Sequence, residues 1–293
     1  MQTRRDFIIN TARAGAAMTV FPSAPLSVHT AGAYTIQDII DMVLKGIPGA
    51  PFKETVDTLK SGDAGTKVTG IVTTMFATVD VIEAAVKQRA NFIIAHEPTF
   101  YNHTDGLEWT ADNQIVKKKL ALLQQHNIAV WRCHDYWHAY RPDGILYGVL
   151  KKAGWLDFNK EVNPAFTIPA TKLSNIVNQL KKNLEISHVK VVGDLQQSCS
   201  KITLLPGAWG GQRQVAMVEK ENPDLLIIGE THEWETVEYI RDRRKTGSPT
   251  ALIILGHSVS EEPGMEWMAQ WLQKKLPDVS VKHVASKDPF TWV

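Results

Sequence analysis

Residues 91–97 read Asn91-Phe-Ile-Ile-Ala-His-Glu97, and residues 224–230 read Asp224-Leu-Leu-Ile-Ile-Gly-Glu230. Each stretch is a short apolar run typical of a buried strand, and each ends in polar residues. Each also follows a predicted strand, loop and helix of similar length. The match indicates a weak internal repeat and favours two related α/β halves.

The segments around both runs alternate between strand and helix patterns. Around the first run, strands are predicted over 67–74 and 128–132, and helices over 79–89 and 113–125. Around the second run, strands are predicted over 201–205, 250–255 and 279–284, and helices over 212–221, 233–244 and 264–276. Such alternation is typical of mainly parallel sheets joined by crossover helices. A further helix is expected to begin at Thr35, with Asp38 completing its cap.

A short, lysine-rich strand–helix–strand pattern over residues 166–194 separates the two halves. We therefore expect an α/β protein with two related domains, mainly parallel sheets and a small inserted α+β subdomain. The predicted division is a first half over 34–155, the insertion over 156–200 and a second half over 201–293.

The first 33 residues carry an export pattern. Thr3-Arg-Arg-Asp-Phe7 precedes a stretch of small and apolar residues, and Ala31-Gly-Ala33 has the form of a cleavage site. This pattern resembles a twin-arginine signal, which directs folded proteins, often with their metal loaded, to the periplasm or the exterior. The alternative is a frayed amphipathic helix on a cytoplasmic protein, because Arg13 interrupts the apolar stretch.

Composition excludes several classes of function. The chain has 293 residues with 32 Lys and Arg against 31 Asp and Glu, a formal charge of +1, so no global field attracts nucleic acid. No apolar run reaches the roughly 20 residues of a membrane-spanning helix. Two cysteines make no disulfide framework. We expect a small-molecule substrate, without a nucleic-acid partner or membrane anchor.

Four predicted strands end in residues that can bind metal. These are His96 and Glu97, the segment from His134 to His138, Glu230, and His257 with Glu261. Open parallel sheets place their ligand crevice at the carboxyl ends of the strands, so these groups converge if the strands are neighbours. One such histidine alone is more often a core or capping residue. The whole set favours Zn²⁺, Fe²⁺ or Mn²⁺, with enough donors for two ions.

Two other motifs are compatible with different chemistry. Gly256-His-Ser-Val-Ser260 comes close to the G-x-S-x-G elbow, which would make Ser258 the nucleophile of a serine hydrolase, but it lacks the final glycine. Pro206-Gly-Ala-Trp-Gly-Gly211 precedes a helix and could hold an anion, although a tight turn is the simpler interpretation. We expect His103, Asp105 and Arg141 to be solvated loop residues.

With these residues identified, the chain resembles the NGG-interacting-factor-three family, also known as GTP cyclohydrolase type two, over about residues 35–285. Gly256-His257 followed by Glu261 matches the family's Gly-His-x-x-x-Glu motif. His96-Glu97-Pro98 has glutamate where the family's His-His-Pro has its second histidine. His138 stands where the His-Thr-Asn-Leu-Asp motif has aspartate. The two exchanges preserve the number of ligands and their net charge.

The resemblance implies a dinuclear centre and a toroidal hexamer. One ion would be bound by His96 and His257, the other by Glu97 and His138, with Glu261 bridging. His134, Asp135 and Glu230 are expected to support these ligands without binding an ion.

Two functions are compatible with such a centre. The first is a metal-dependent hydrolase in which Glu261 or a neighbouring carboxylate handles protons. The family's named reaction is opening of the GTP imidazole ring. The second is a metal-binding scaffold, or a ring that binds partners, without catalysis.

Overall fold

The computed structural model describes residues 34–110 and 112–293, so the predicted export signal over residues 1–33 lies outside the described residues. The helices are α1 Ile36–Leu44, α2 Val79–Lys87, α3 Gln114–Gln125, α4 Asp135–Ala139, α5 Gly144–Ala153, α6 Leu173–Asn183, α7 Gly211–Glu221, α8 Glu238–Lys245 and α9 His257–Lys275. The strands are β1 Leu59–Ser61, β2 Ile71–Thr74, β3 Phe92–Ala95, β4 Ala129–Arg132, β5 Ala165–Lys172, β6 Lys190–Val192, β7 Ser198–Leu205, β8 Leu225–Ile228, β9 Ala251–Ile254 and β10 Val281–His283.

The strands form two five-stranded sheets, and the three central strands of each are parallel. The first has the order β1-β4-β3-β2-β10 and the second β5-β7-β8-β9-β6. Central pairs in both sheets are parallel, and the antiparallel pairs are those of β1, β5 and β6 at the edges. The strands of the internal repeat, β3 and β8, each occupy the middle of a sheet. The predicted α/β class with two related halves is therefore confirmed.

Two segments pair differently from the sequence prediction. Strands β5 and β6, expected to form the inserted subdomain, are instead the two edges of the second sheet. Strand β10, expected in the second half, pairs parallel with β2 of the first sheet. Short strands are unstable alone and gain hydrogen bonds by extending an existing sheet, so tertiary pairing decides their place.

Helix α9 begins earlier than expected. Its start was expected at about Gly264, yet α9 begins at His257 and continues through Pro263, although proline inside a helix removes a hydrogen bond. The two short helices α4 and α5 had not been predicted. The capping box at Thr35 and Asp38 is present as predicted.

Helices cover both faces of each sheet. The largest core cluster combines residues of both sheets with residues of α1, α5, α6 and α9. A second cluster joins the first sheet to α2 and α3, and a third joins the second sheet to α7 and α8. Burial on both faces explains why the central strands read as continuous apolar runs. No helix among residues 34–110 and 112–293 has the length and apolar character needed to cross a membrane.

Helices α5 and α9 cross at glycines, and this contact joins the two halves. A Cβ on Gly148 would lie 2.4 Å from the Pro263 carbonyl oxygen, and one on Gly264 would lie 2.6 Å from Ile145 Cα. The Trp137 indole donates a hydrogen bond of 3.1 Å to the Gly264 carbonyl. The close approach sets the position of the amino-terminal turn of α9 against the first sheet.

We expect Gly148→Ala to lower stability. Overpacking of this kind costs about 1–3 kcal/mol, while the better helix propensity of alanine offsets at most about 1 kcal/mol. Urea unfolding should show a lower midpoint with an unchanged slope. Gly65→Ala is the control, because its nearest contact is 3.4 Å from the added Cβ. Equal midpoints for both variants would contradict the role of this crossing.

Candidate metal centre

Three segments bring ionisable side chains to one place. His96 and Glu97 follow β3 directly, and the turn of α4 follows β4, the parallel neighbour of β3. Helix α9 follows β9 of the second sheet and packs against β2 and β10 of the first. The side chains that converge at the carboxyl ends of β3 and β4 therefore include those of α9, a helix that follows a strand of the second sheet.

Helical spacing aligns the donors of two segments. His134 precedes α4 and His138 lies within it, four residues later. His257 and Glu261 have the same spacing in the first turns of α9. Residues at i and i+4 share one face of a helix, so each pair points in one direction.

The carboxylate of Glu261 lies between imidazoles on different elements. Its Oε2 is 3.3 Å from His257 Nε2 and 3.8 Å from His96 Nε2. Its Oε1 is 3.9 Å from His138 Nε2. The two oxygens of one buried carboxylate thus face two different sets of nitrogen donors, as a bridging carboxylate does.

Glu97 has a similar position. Its Oε1 is 3.3 Å from His257 Nε2 and 3.8 Å from His134 Nε2. The ring of His134 stacks on that of His96 with a centroid distance of 4.7 Å. Single donor atoms of His96, His134 and His138 lie within 4.8 Å of one another, as do those of His96, Glu97 and Glu261.

Two buried atoms of the cluster have no hydrogen-bond partner among the described residues: His96 Nε2 and Glu261 Oε2. An unpaired buried polar atom is costly, and a cation that binds both atoms removes that cost. Two donors bound at about 2.1 Å to a tetrahedral ion lie about 3.4 Å apart, close to the distances between the facing atoms here. The residues therefore fit a divalent metal.

The electrostatics of His96 and Glu97 suit metal binding. Burial, together with the neighbouring imidazoles of His134 and His138, holds the pKa of His96 well below its ordinary value. Burial opposes ionisation of Glu97, but the hydrogen bond with His257 and the charges of nearby imidazoles lower its pKa. Neutral imidazole and ionised carboxylate are the forms that bind metal.

Two other histidines hold protons strongly in the metal-free protein. Burial opposes the charged form of His138, but its hydrogen bond to Asp143 raises its pKa to about 9. Burial likewise opposes the charged form of His257, but the facing carboxylates of Glu230, Glu261 and Glu97 raise its pKa to about 12. A metal must displace these protons, so its apparent affinity rises with pH.

Carboxylates outside the cluster orient its imidazoles. Asp143 Oδ2 is 2.9 Å from His138 Nδ1, and Asp135 Oδ1 is 2.9 Å from His134 Nδ1. Glu230 Oε2 lies 3.2 Å from His257 Nδ1. In each case the outer nitrogen meets a carboxylate, which leaves Nε2 directed into the cluster.

The structure brings together all five residues predicted as ligands: His96, Glu97, His138, His257 and Glu261. Asp135 and Glu230, predicted as supports, lie against Nδ1 of His134 and His257. His134, predicted as a support, has its Nε2 inside the cluster. Asp143 and Asp57 also support the cluster and were not predicted from the sequence. The signal for Asp143 was a carboxylate five residues after a candidate ligand; nothing local marked Asp57, which accepts hydrogen bonds of 2.8 Å from the amides of His134 and Tyr136.

The alternative motifs have other partners. Among the described residues the Ser258 hydroxyl hydrogen-bonds to Glu262 and Ser286 and has no histidine base. The amide of Gly211 at the start of α7 donates to Glu235 Oε2 at 3.1 Å, so the chain's own carboxylate occupies the position considered for an anion.

The fold and the cluster define a two-sheet α/β protein with a candidate divalent-metal site of imidazoles and carboxylates. The family model for Duf34/NIF3 (NGG1p interacting factor 3) matches residues 34–289, and the chain belongs to this family. A relative from Clostridium perfringens, the "GTP cyclohydrolase 1 type 2 homolog", is 26% identical over 277 residues, covering 88% of this chain and 99% of the relative.

Solved structures share the fold. A Bacillus cereus protein related to NIF3 superposes with a TM-score of 0.70 at 14% identity, covering 89% of this chain and 99% of its own. A Staphylococcus aureus protein gives a TM-score of 0.69 at 18% identity, with the same coverage of 89% and 99%. The resemblance inferred from the motifs is therefore confirmed at the level of family and fold.

The loop after β7 yields a prediction with a matched control. Gly207 and Gly210 both have left-handed backbones, with φ of +73° and +76°, so alanine is strained at either position. An added Cβ would meet the Glu261 carboxylate at 2.3 Å from Gly207 but nothing within 4 Å from Gly210. We expect Gly207→Ala to lower bound metal at least tenfold, the scale of losing a supporting contact.

Gly210→Ala should cost similar stability and keep its metal. Equilibrium dialysis against Zn²⁺, with elemental analysis of the dialysed protein, measures both variants. Equal metal content in the two variants would show that the contact with Glu261 does not matter.

Proposed function

We propose that this chain binds two divalent ions and uses them as a metal-dependent hydrolase. The observation that supports it most strongly is the position of Glu261, whose two oxygens face different imidazoles and whose Oε2 is buried without a hydrogen bond. A single structural ion would use one side of this carboxylate and leave the other uncompensated.

The distances suggest how the donors divide. His96 and His257 share the Oε2 side of Glu261, and His138 is on the Oε1 side. His134 joins His138, because its Nε2 faces Glu97 and its ring is 4.9 Å from that of His138. In this arrangement Glu97 also contacts donors of both ions. This division of donors differs from the ligand set implied by the motifs, because it adds His134 as a ligand.

When bound, two such ions would supply a water of lowered pKa that could act as a nucleophile. The chain's own residues keep each imidazole in position through Asp143, Asp135 and Glu230. Glu261 is almost completely buried, whereas the side chain of Glu230 is 55% exposed. Glu230 is therefore better placed than Glu261 to pass a proton between the site and solvent.

The substrate class is a small molecule with a hydrolysable bond. The name of the Clostridium perfringens relative suggests opening of a purine ring, in which water attacks the carbon between two nitrogens. The proposed twin-arginine export would place this chain where GTP is scarce, which favours a different substrate. A hexameric assembly also remains a proposal from family resemblance.

Metal content tests the first part of the proposal. Protein purified without chelator should contain about two equivalents of Zn, Fe or Mn per chain by elemental analysis. The His96→Ala/Glu261→Ala double variant removes donors of both sets, so we expect it to lose nearly all metal while circular dichroism shows retained fold. Metal-free wild type after gentle purification would refute the centre.

Turnover tests the second part. On a panel of phosphoesters, amides and nucleotides, His257→Ala should lower kcat/KM at least 100-fold, since removing one ligand disorders the nucleophile. His126→Ala is the matched control. His126 is the C-cap of α3, just before the amino-terminal end of β4, whereas the candidate centre lies at the carboxyl ends of the strands. A wild type that holds two metals but turns over nothing on the panel would favour the scaffold.

A further inference from the structure

The buried guanidinium of Arg132 borders the candidate metal centre. Arg132 ends β4, and its side chain is fully buried. Its Nε donates to the His96 carbonyl oxygen at 3.3 Å, and its Nη1 donates to the His103 carbonyl oxygen. Its Nη2 lies 3.6 Å from Glu97 Oε2 and has no other partner among the described residues.

Charge balance links Arg132 to Glu97. The other carboxylate beside Arg132 is Asp105, with Oδ2 at 3.7 Å from Nη1. Asp105 was expected in a solvated loop, but it is buried and also lies 3.6 Å from Lys60 Nζ. Lys60 and Arg132 both face Asp105, and Glu97 is the second carboxylate that faces Arg132. An uncompensated buried guanidinium would be strongly destabilising.

The two oxygens of Glu97 have different environments. Oε2 faces Arg132, while Oε1 faces His257 and His134 on the side of the metal donors. Arg132 also holds the backbone of the preceding residue through the His96 carbonyl. A guanidinium that fixes one oxygen and the adjoining backbone determines the direction of the other oxygen.

We propose that Arg132 is a positioning residue that compensates the carboxylate of Glu97 and turns its Oε1 toward the metals. The inference rests on the proposed metal centre.

A double-mutant cycle on metal affinity tests this proposal. Arg132→Met should weaken Zn²⁺ binding by about 10- to 100-fold, the usual effect of losing a group that supports a ligand. In the Glu97→Gln background, which has no carboxylate to position, the same change should cost less than twofold. Equal losses in both backgrounds would show a general packing role and overturn the proposal.

Arg132→Lys is the second variant, in case the methionine variant does not fold. Lysine keeps the charge but cannot bind the His96 carbonyl and Glu97 together, so the visible spectrum of bound Co²⁺ should shift from that of wild type. In the Glu97→Gln background the lysine change should leave the Co²⁺ spectrum unaltered. An unshifted spectrum in the Arg132→Lys variant, with wild-type affinity, would also overturn the proposal.

Lys119→Met is the control for loss of a buried cation. Lys119 is 3% exposed and donates to the Thr99 carbonyl oxygen at 2.7 Å, without contacting a candidate ligand. The Lys119→Met variant should retain wild-type Zn²⁺ affinity. A wild type that binds no metal would refute the centre itself, whereas metal-binding wild type with an unaffected Arg132→Met variant would refute only the role of Arg132.

Discussion

The burial of ionisable side chains at the junction of the two sheets is the constraint on which this structure depends. His96 and Glu261 are almost inaccessible, yet His96 Nε2 and Glu261 Oε2 make no hydrogen bond among the described residues. Desolvation of such groups costs several kcal/mol each unless a charge of opposite sign compensates it. The proposed divalent cations would compensate these carboxylates and imidazoles together, which would account for the polar groups that accumulate where the fold is otherwise apolar.

The internal repeat places the imidazole of His257 between two carboxylates. Glu97 follows β3 and Glu230 follows β8, the central strands of the two sheets. His257 lies between them, with Nε2 3.3 Å from Glu97 and Nδ1 3.2 Å from Glu230. The two carboxylates related by the repeat therefore differ in their surroundings. Glu97 is buried and faces the candidate metal donors, whereas Glu230 is half exposed, contacts the His257 ring and faces solvent.

Two of the candidate donors, the carboxylate of Glu97 and the imidazole of His138, each lie beside a side chain that can carry the opposite charge. Arg132 lies beside Glu97 and Asp143 lies beside His138. Such pairing maintains the balance of charge in a low-dielectric site, where an unmatched charge would destabilise the fold.

The amino-acid sequence alone determined the alternation of strands and helices, the repeat and the polar residues at the strand ends, because hydrophobic period and strand-end position are local properties. The family resemblance of the motifs then selected five of those residues as candidate ligands. Tertiary structure decided the rest. Helix α9 begins at His257 despite Pro263, because packing against α5 and the first sheet outweighs the local preference of proline. Tertiary pairing, and not position in the chain, placed strands β5, β6 and β10 at the edges of the sheets. His134 Nε2 and Arg132 Nη2 gained Glu97 as a neighbour only when β3 and β4 met, since long-range contacts leave no periodic signal in the chain.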